Sequence, residues 1–332
     1  MAIHGPSLRQ LAPHRAAAAH GGSIPPDQTQ GTTVTNSPRR DLHPLWSPGR
    51  LSFLMEAHNG LSARIAEEAG FEGIWASSLT MAASLGLRDC NEASWTQILD
   101  ILEYMSDACQ RPILMDGDTG YGNFNNVRRL VKKLGARGVA GVCIEDKGFP
   151  KTNSLLDNSP DALADTEEFC GRIRAAKDHQ PNDQFAVVAR TEAFICGQSV
   201  AEALHRAYAY RDAGADAILV HSRRETADDI GEFMQEWDKS RPILIAPTTY
   251  YKTPTSQFLA WGISTVIWAN HSLRSAIHAM QETCRQLVRE QYAAQVCARV
   301  APVSEIFRLQ GMEELQAAEK RYLPPLRRLS SV

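Results

Sequence analysis

After Pro48 the chain settles into an alternation of short apolar runs and longer amphipathic segments. The apolar runs are Leu51–Ala57, Gly73–Ala76, Ile113–Asp116, Val139–Ile144, Phe185–Ala189, Ala217–Val220, Ile243–Ala246 and Thr265–Ala269. Each has the length of a strand, and most follow a Gly- or Pro-marked turn such as Arg111-Pro112, Gly138, Gly214-Ala215 or Arg241-Pro242. Between them Leu61–Ala69, Asn126–Leu134 and Ser199–Ala213 carry helical patterns. Strands separated by helices predict a parallel sheet, and eight strands are the number that closes a (β/α)₈ TIM barrel. A doubly wound open sheet is the alternative, weakened because no G-x-G-x-x-G follows the first strand. Leu273 to Gln295 and Ser304–Arg321 also look helical. They exceed a minimal barrel and are expected to serve subunit packing.

The first 48 residues lack this rhythm and are rich in Ala, His, Gly, Pro, Ser and Thr. They also lack the apolar core of a signal peptide, so a largely disordered tail is expected, with a transit-like role left open by its Arg content. The expected organisation is a tail over 1–48 and a barrel catalytic domain with a C-terminal helical extension over 49–332. Composition is that of a globular chain, 43% hydrophobic and 22% charged. A net charge of −3 implies no broad basic surface for nucleic acid, although a few local cations can still hold a small anion. No run of about 18 apolar residues marks a membrane span. The seven cysteines are scattered without a C-x-x-C pair, which points to buried thiols in a reduced, cytoplasmic protein.

In a barrel of this kind the working residues stand at the C-terminal ends of the strands. Those ends carry Glu56, His58 and Asn59; Trp75 and Ser77; Asp116 and Asp118; Glu145; Arg190 and Glu192; His221; Thr248 and Thr249; and Asn270. Asp116 and Asp118, two apart, are expected to face one side, and Glu145 ends the next strand. Crowded carboxylates repel and take up protons unless a cation offsets them. A hard divalent ion with oxygen ligands suits this set: Mg²⁺, or Mn²⁺ as a substitute. The D-G-D-T-G run is also good turn material, and Glu145 on the adjacent strand favours the metal. Arg190 and His221 are placed to hold an anionic substrate. An Arg paired to Glu192 or Glu145 and a satisfied core His are the competing reading. The polar segment from Glu145 to Ser154 has the makeup of a loop closing over an anion, a composition that ordinary exposed loops share.

The strings MEAHNGLSA, GIW-x-S, RD-x-NEASWTQ, DGDTGYGN, GVAGVCIEDK, FPKTNSLL and VARTEAF occur in that order, followed by PVSEIFRLQ and AEKRYLP. From Leu51 to the end the chain resembles the phosphoenolpyruvate mutase family of the isocitrate lyase superfamily. The resemblance implies interconversion of phosphoenolpyruvate and phosphonopyruvate, the step that forms a P–C bond in phosphonate biosynthesis. It implies Mg²⁺ held directly by Asp116 and through water by Asp118 and Glu145. Trp75, Ser77 and the backbone amides of Ser78 and Leu79 would receive the pyruvyl group. Asp89 would stand by the transferring phosphoryl group, as nucleophile or positioning group, and Arg190, His221 and Asn153 around substrate oxygens. Lys151, Ser154 and Leu155 would belong to a gating loop that touches the site. The resemblance further implies a homotetramer with a helix exchanged between subunits, and a phosphonopyruvate decarboxylase downstream. Two positions depart from the family: Ser78 where Gly is usual, placing a Cβ where substrate approaches, and Cys90 where Ser is familiar. A phosphonopyruvate hydrolase is the first rival, with Asn153 as the discriminator. A carbon–carbon lyase would carry a Lys-Lys-Cys-Gly-His loop, where Lys151-Thr152-Asn153-Ser154 stands instead. A noncatalytic barrel would have lost charged site residues, and none is lost.

Overall fold

The computed structural model describes residues 40–154, 156, 159 and 162–324. Residues 1–39 of the expected tail, and Leu155, lie outside the described residues. In chain order the barrel runs β1 (Ser52–Ala57), α1 (Gly60–Glu68), β2 (Gly73–Ala76), α2 (Ser78–Ser84), α3 (Trp95–Ala108), β3 (Ile113–Asp116), α4 (Phe124–Ala136) and β4 (Gly141–Glu145). It continues through α5 (Thr166–Asp178), β5 (Ala186–Thr191), α6 (Val200–Asp212), β6 (Ala217–Val220), α7 (Asp228–Glu236), β7 (Ile243–Ile245), α8 (Thr255–Trp261) and β8 (Thr265–Trp268). Every strand pair is parallel, and β1 pairs with both β2 and β8, so Leu54 stands opposite Gly73 on one side and Ile267 on the other. The chain is a closed (β/α)₈ barrel.

Strand alternation divides the core in two. Leu54, Trp75, Leu114, Cys143, Val188, Leu219, Leu244 and Ile267, one from each strand, form one buried cluster inside the barrel. Their neighbours, such as Ile74, Met115, Val142, Val187, Ile218, Ile245 and Val266, pack in a second cluster with the helices. The helices start where the sequence supplies caps. Asn59 and Ser62 form a capping box at α1, Ser94 and Gln97 do so at α3, and the Asp165 carboxylate accepts from two amides at α5.

Three expectations need correction. The folded part reaches upstream of Pro48, because Leu42, Leu45 and Trp46 are buried and join the cluster inside the barrel. A 3₁₀ turn over His43–Trp46 presents them. Glycines make the room: a Cβ on Gly141 would stand 3.0 Å from Leu42 Cδ1, and one on Gly73 3.3 Å from Leu45 Cδ1. Arg40 anchors the segment by donating to the carbonyls of Ser106 at 2.6 Å and Cys109 at 3.0 Å. At the other end, the helix expected to reach Gln295 stops as α9 (His271–Glu290). Gln291 takes a left-handed conformation, φ 49°, and α10 (Ala294–Cys297) follows. The helix expected over Ser304–Arg321 is two, α11 (Val303–Leu309) and α12 (Met312–Tyr322), split by Gly311 at φ 71°, a conformation that glycine adopts without strain. No helix among the described residues is long and apolar enough to cross a membrane.

Candidate active site

The alternation that fills the barrel also furnishes its mouth. Two residues beyond the inward-facing Trp75, Leu114, Cys143, Val188 and Leu219 come Ser77, Asp116, Glu145, Arg190 and His221. Strand parity therefore carries all five toward the C-terminal end of the barrel. Ser77, Asp116, Arg190 and His221 line a cleft together with Trp75, Leu79, Asp89, Lys151, Asn153, Ser154, Thr248 and Asn270. Glu145 is 1% exposed and lies behind this lining. Glu56 and His58, also at a strand end, serve the framework instead. Glu56 accepts from His58 Nδ1 at 2.8 Å and from the Ser272 and Leu273 amides at 3.1 Å, which holds the start of α9.

The segment after β4 is folded inward. Lys147, 1% exposed, donates to the Thr152 carbonyl at 2.8 Å and so braces the turn from inside. Lys151 is buried, and its ammonium donates to Ser78 Oγ and Asp89 Oδ1 at 2.8 Å each and to Asp118 Oδ1 at 2.5 Å. Asn153 Nδ2 donates to the other Asp89 oxygen at 2.6 Å. Asn91 closes the cluster from α2–α3: its Oδ1 accepts from the Lys151 amide and its Nδ2 donates to Asp118 Oδ2, both at 2.8 Å. Burial disfavours the Lys151 ammonium, but Asp118, Asp116 and Asp89 together outweigh that and hold its pKa well above the lysine range.

A second network centres on Glu192, which is fully buried. Its carboxylate accepts from Arg190 Nε at 2.5 Å, lies 2.8 Å from His221 Nδ1, and accepts from Ser154 Oγ. Arg190 Nη2 reaches Ser154 Oγ at 3.1 Å and approaches His221 Nδ1 at 2.8 Å. Burial would raise the Glu192 pKa, but Arg190 and His221 outweigh it and keep the group well below the carboxylate range. Burial, aided by the Arg190 charge, lowers His221, so the neutral ring is favoured. Behind Glu192, Asp146 accepts from the Glu192 amide at 2.7 Å and from Tyr210 Oη at 2.6 Å, tying the network to α6.

The three acidic candidates are held in different ways. Asp118 does not share a strand face with Asp116, because β3 ends at Asp116 and Asp118 takes a left-handed turn conformation, φ 49°. The turn still brings it back to Lys151, which also reaches Asp116 through Ser78 Oγ, 2.9 Å from Asp116 Oδ2. Glu145 differs from both. Its two carboxylate oxygens are buried without a hydrogen-bond partner, Arg190 Nη2 stands 3.4 Å away, and burial pushes its pKa up to about 8. Among the described residues no three His, Cys, Asp or Glu side chains converge into a ready-made cage. The Ser78 hydroxyl turns toward Asp116 and Lys151.

A family model for phosphoenolpyruvate phosphomutase matches residues 42–288. The chain belongs to the phosphoenolpyruvate phosphomutase family. The phosphoenolpyruvate phosphomutase of Tetrahymena pyriformis is 56% identical over 273 residues, which cover 82% of this chain and 91% of the relative. Among solved structures, a phosphoenolpyruvate phosphomutase from Streptomyces platensis subsp. rosaceus is 41% identical with a TM-score of 0.83, covering 85% of this chain and 98% of that one. A phosphonopyruvate hydrolase solved with oxalate and Mg²⁺ is 38% identical with a TM-score of 0.80, over 85% and 98% of the two chains. Two residues of the site were assigned no role in it by the sequence reading. Asn91 carries no signal beyond its place in the RD-x-NEASW string. Glu192 was visible at a strand end only as a competing structural partner for Arg190, and it proves to anchor Arg190, His221 and Ser154 together.

Proposed function

We propose that this member of the phosphoenolpyruvate phosphomutase family moves one phosphoryl group between the enol oxygen and the methylene carbon of pyruvate, interconverting phosphoenolpyruvate and phosphonopyruvate. The observation that carries this reading is the convergence of Arg190, His221, Asn153 and Lys151 with Asp116 and Asp89 on one cleft. Such a cleft suits a small, multiply charged anion. Phosphoryl transfer needs little covalent help and much positioning, and this site is rich in fixed donors.

Asp116 would hold a Mg²⁺ directly, and Asp118 and Glu145 would hold it through water, with Mn²⁺ as a substitute. The donor set fits. Glu145 offers two buried oxygens that no donor satisfies, and Mg²⁺ binds through one or two carboxylates while keeping several waters. When bound, the ion supplies Lewis-acid stabilisation of the charge that develops on the pyruvyl oxygens. Trp75 and Ser77 would hold the pyruvyl group, with the amides of Ser78 and Leu79 as donors at the start of α2. Arg190 would grip phosphoryl oxygens through a fork that Glu192 fixes in place. His221 would face the phosphoryl oxygens through Nε2, its ring oriented by Glu192 and Arg190 at Nδ1. Asn153 would donate to the migrating group, and the loop from Lys151 through Leu155 would exclude water while it migrates. Asp89, with both oxygens already accepting, suits the part of a positioning group.

The remaining assignments rest on the same reading. Isomerisation toward phosphonopyruvate exchanges an enol phosphate for a P–C bond and is uphill, so a phosphonopyruvate decarboxylase would draw the product into phosphonate biosynthesis. The barrel and its C-terminal helices would act as one catalytic domain in a homotetramer. Met280, Val288, Ile306 and Phe307 expose apolar surface on α9 and α11 that a second subunit would cover. The seven cysteines are all free thiols, as suits a cytoplasmic enzyme. Growth of the ultraviolet absorbance of an enol phosphate, when phosphonopyruvate and Mg²⁺ are added to the protein, tests the reading. A flat trace with folded protein rejects it.

A further inference from the structure

The Ser78 hydroxyl occupies an unusual place between the closing loop and the acidic wall. It is 3% exposed, on the first residue of α2, and the neighbouring Ser77 already caps that helix by accepting from the Thr80 amide. The Ser78 side chain is therefore not needed to start α2. A serine hydroxyl has one proton to give and lone pairs to receive, and here both are used. Lys151 Nζ donates to Ser78 Oγ at 2.8 Å, and Ser78 Oγ donates to Asp116 Oδ2 at 2.9 Å. An ammonium has no lone pair, so Lys151 must be the donor of the first bond, and the serine proton is left to point at Asp116. The direction of the chain is thus fixed from loop to strand. Lys151 has no hydrogen bond of its own to Asp116; its carboxylate partners are Asp89 and Asp118.

We propose that the Ser78 hydroxyl is a positioning residue that couples loop closure to Asp116: the closed loop, through Lys151, orients the hydroxyl, and the hydroxyl fixes one Asp116 oxygen so that the other stays turned to the cleft. The proposal rests on the reading that Asp116 holds the metal. It makes loop and metal site one unit, so that removing the hydroxyl alone loosens both. Hydrogen bonds to a ligating carboxylate are worth about 10–100-fold in metal affinity when removed. Loss of one net hydrogen bond from Lys151 raises the open population of the loop by roughly twofold to tenfold.

The test uses full-length protein and two readouts that do not depend on turnover. Mn²⁺ binding is followed through the paramagnetic resonance signal of the free ion. Loop opening is followed by the rate of tryptic cleavage after Lys147 and Lys151, which tracks the open population when reclosing is fast. Ser78→Ala should weaken Mn²⁺ binding by about tenfold and speed loop cleavage several-fold, with an unchanged melting temperature. Ser78→Gly, which also lacks the hydroxyl, should behave alike. A change in one readout without the other overturns the coupling, because the hydroxyl is then a plain latch or a plain prop. If wild type binds Mn²⁺, Asp116→Asn abolishes that binding and Ser78→Ala matches wild type in both readouts, the role of Ser78 is refuted while the metal assignment stands. Failure of wild type itself to bind Mn²⁺ refutes the metal assignment, and the coupling with it.

Discussion

Glu192 is the group whose removal the structure makes most consequential. Its carboxylate is fully buried and anchors three cleft residues at once: Arg190 at 2.5 Å, His221 at 2.8 Å and Ser154. Glu192→Ala would leave the Arg190 guanidinium buried, with Glu145 at 3.4 Å as the remaining carboxylate of its ion-pair set. Breaking one side of a buried pair costs about 3–5 kcal/mol, because the other charge stays desolvated. At about 2–4 °C per kcal/mol for a large domain, the melting temperature should fall by roughly 6–20 °C. Activity should fall further than stability accounts for, since the grips of Arg190, His221 and Ser154 loosen together. A loss in kcat/KM of at least about a hundredfold, equal to about 2.7 kcal/mol, is expected at a temperature where the variant is still folded. Glu192→Gln separates shape from charge. It keeps an oxygen for Arg190 but removes the carboxylate charge, so the bond is assisted by the guanidinium charge alone, and its melting temperature should lie between the other two. Thermal melts by circular dichroism and steady-state kinetics below the transition give both numbers. A Glu192→Ala protein that melts within about 2 °C of wild type and turns over normally would refute the view that this carboxylate organises the cleft.

The other expectations are shorter. Chelation should abolish activity and Mg²⁺ restore it, whereas Asp116→Ala should stay inactive with excess metal; full activity in chelator contradicts the metal assignment. Asn153→Ala removes a donor worth about 1.5–3 kcal/mol if it strengthens toward charged phosphoryl oxygen, so isomerisation should slow roughly tenfold to a hundredfold. The share of free phosphate among the products should rise as water enters; an unchanged rate and product ratio removes Asn153 from the mechanism. At the other end of the barrel, the Asp216 and Asp41 carboxylates raise the pKa of His43 despite its partial burial. A raised folded-state pKa means stabilisation fully present below the ordinary histidine pKa of about 6.5 and lost as pH climbs through the folded value. Melting temperatures should therefore decline across that window in wild type and less so in His43→Gln, and identical pH profiles would contradict the pairing.

The barrel was legible because buried parallel strands write themselves as apolar runs, and because Gly and Pro punctuate the turns between them. The strand ends were legible for the same reason: Asp116, Arg190 and His221 sit two residues beyond an inward-facing apolar side chain. What sequence pattern concealed lies in the loops and at the ends of the chain. The Leu42, Leu45 and Trp46 plug has too few apolar residues to show a period, and its partners Gly73 and Gly141 reveal their purpose only when the barrel closes. Asp118 looked like a strand residue because the backbone reversal at φ 49° follows from the D-G-D-T-G turn and not from alternation. Lys151 stood in a segment whose composition suits any exposed loop. Its burial against Asp89, Asp118 and Ser78 joins residues 33, 62 and 73 positions apart, a distance at which local pattern carries no information.

The central claim is that the phosphoryl group of phosphonopyruvate is passed to the enol oxygen of the same pyruvate and is not surrendered to water. Phosphonate, enol phosphate and free phosphate are distinct species in a ³¹P NMR spectrum, so one time course with purified protein, phosphonopyruvate and Mg²⁺ resolves all three. The account predicts that the phosphonopyruvate signal is replaced by that of phosphoenolpyruvate, with free phosphate a minor species throughout. Phosphate growing in step with substrate loss, with no enol phosphate formed, would contradict it.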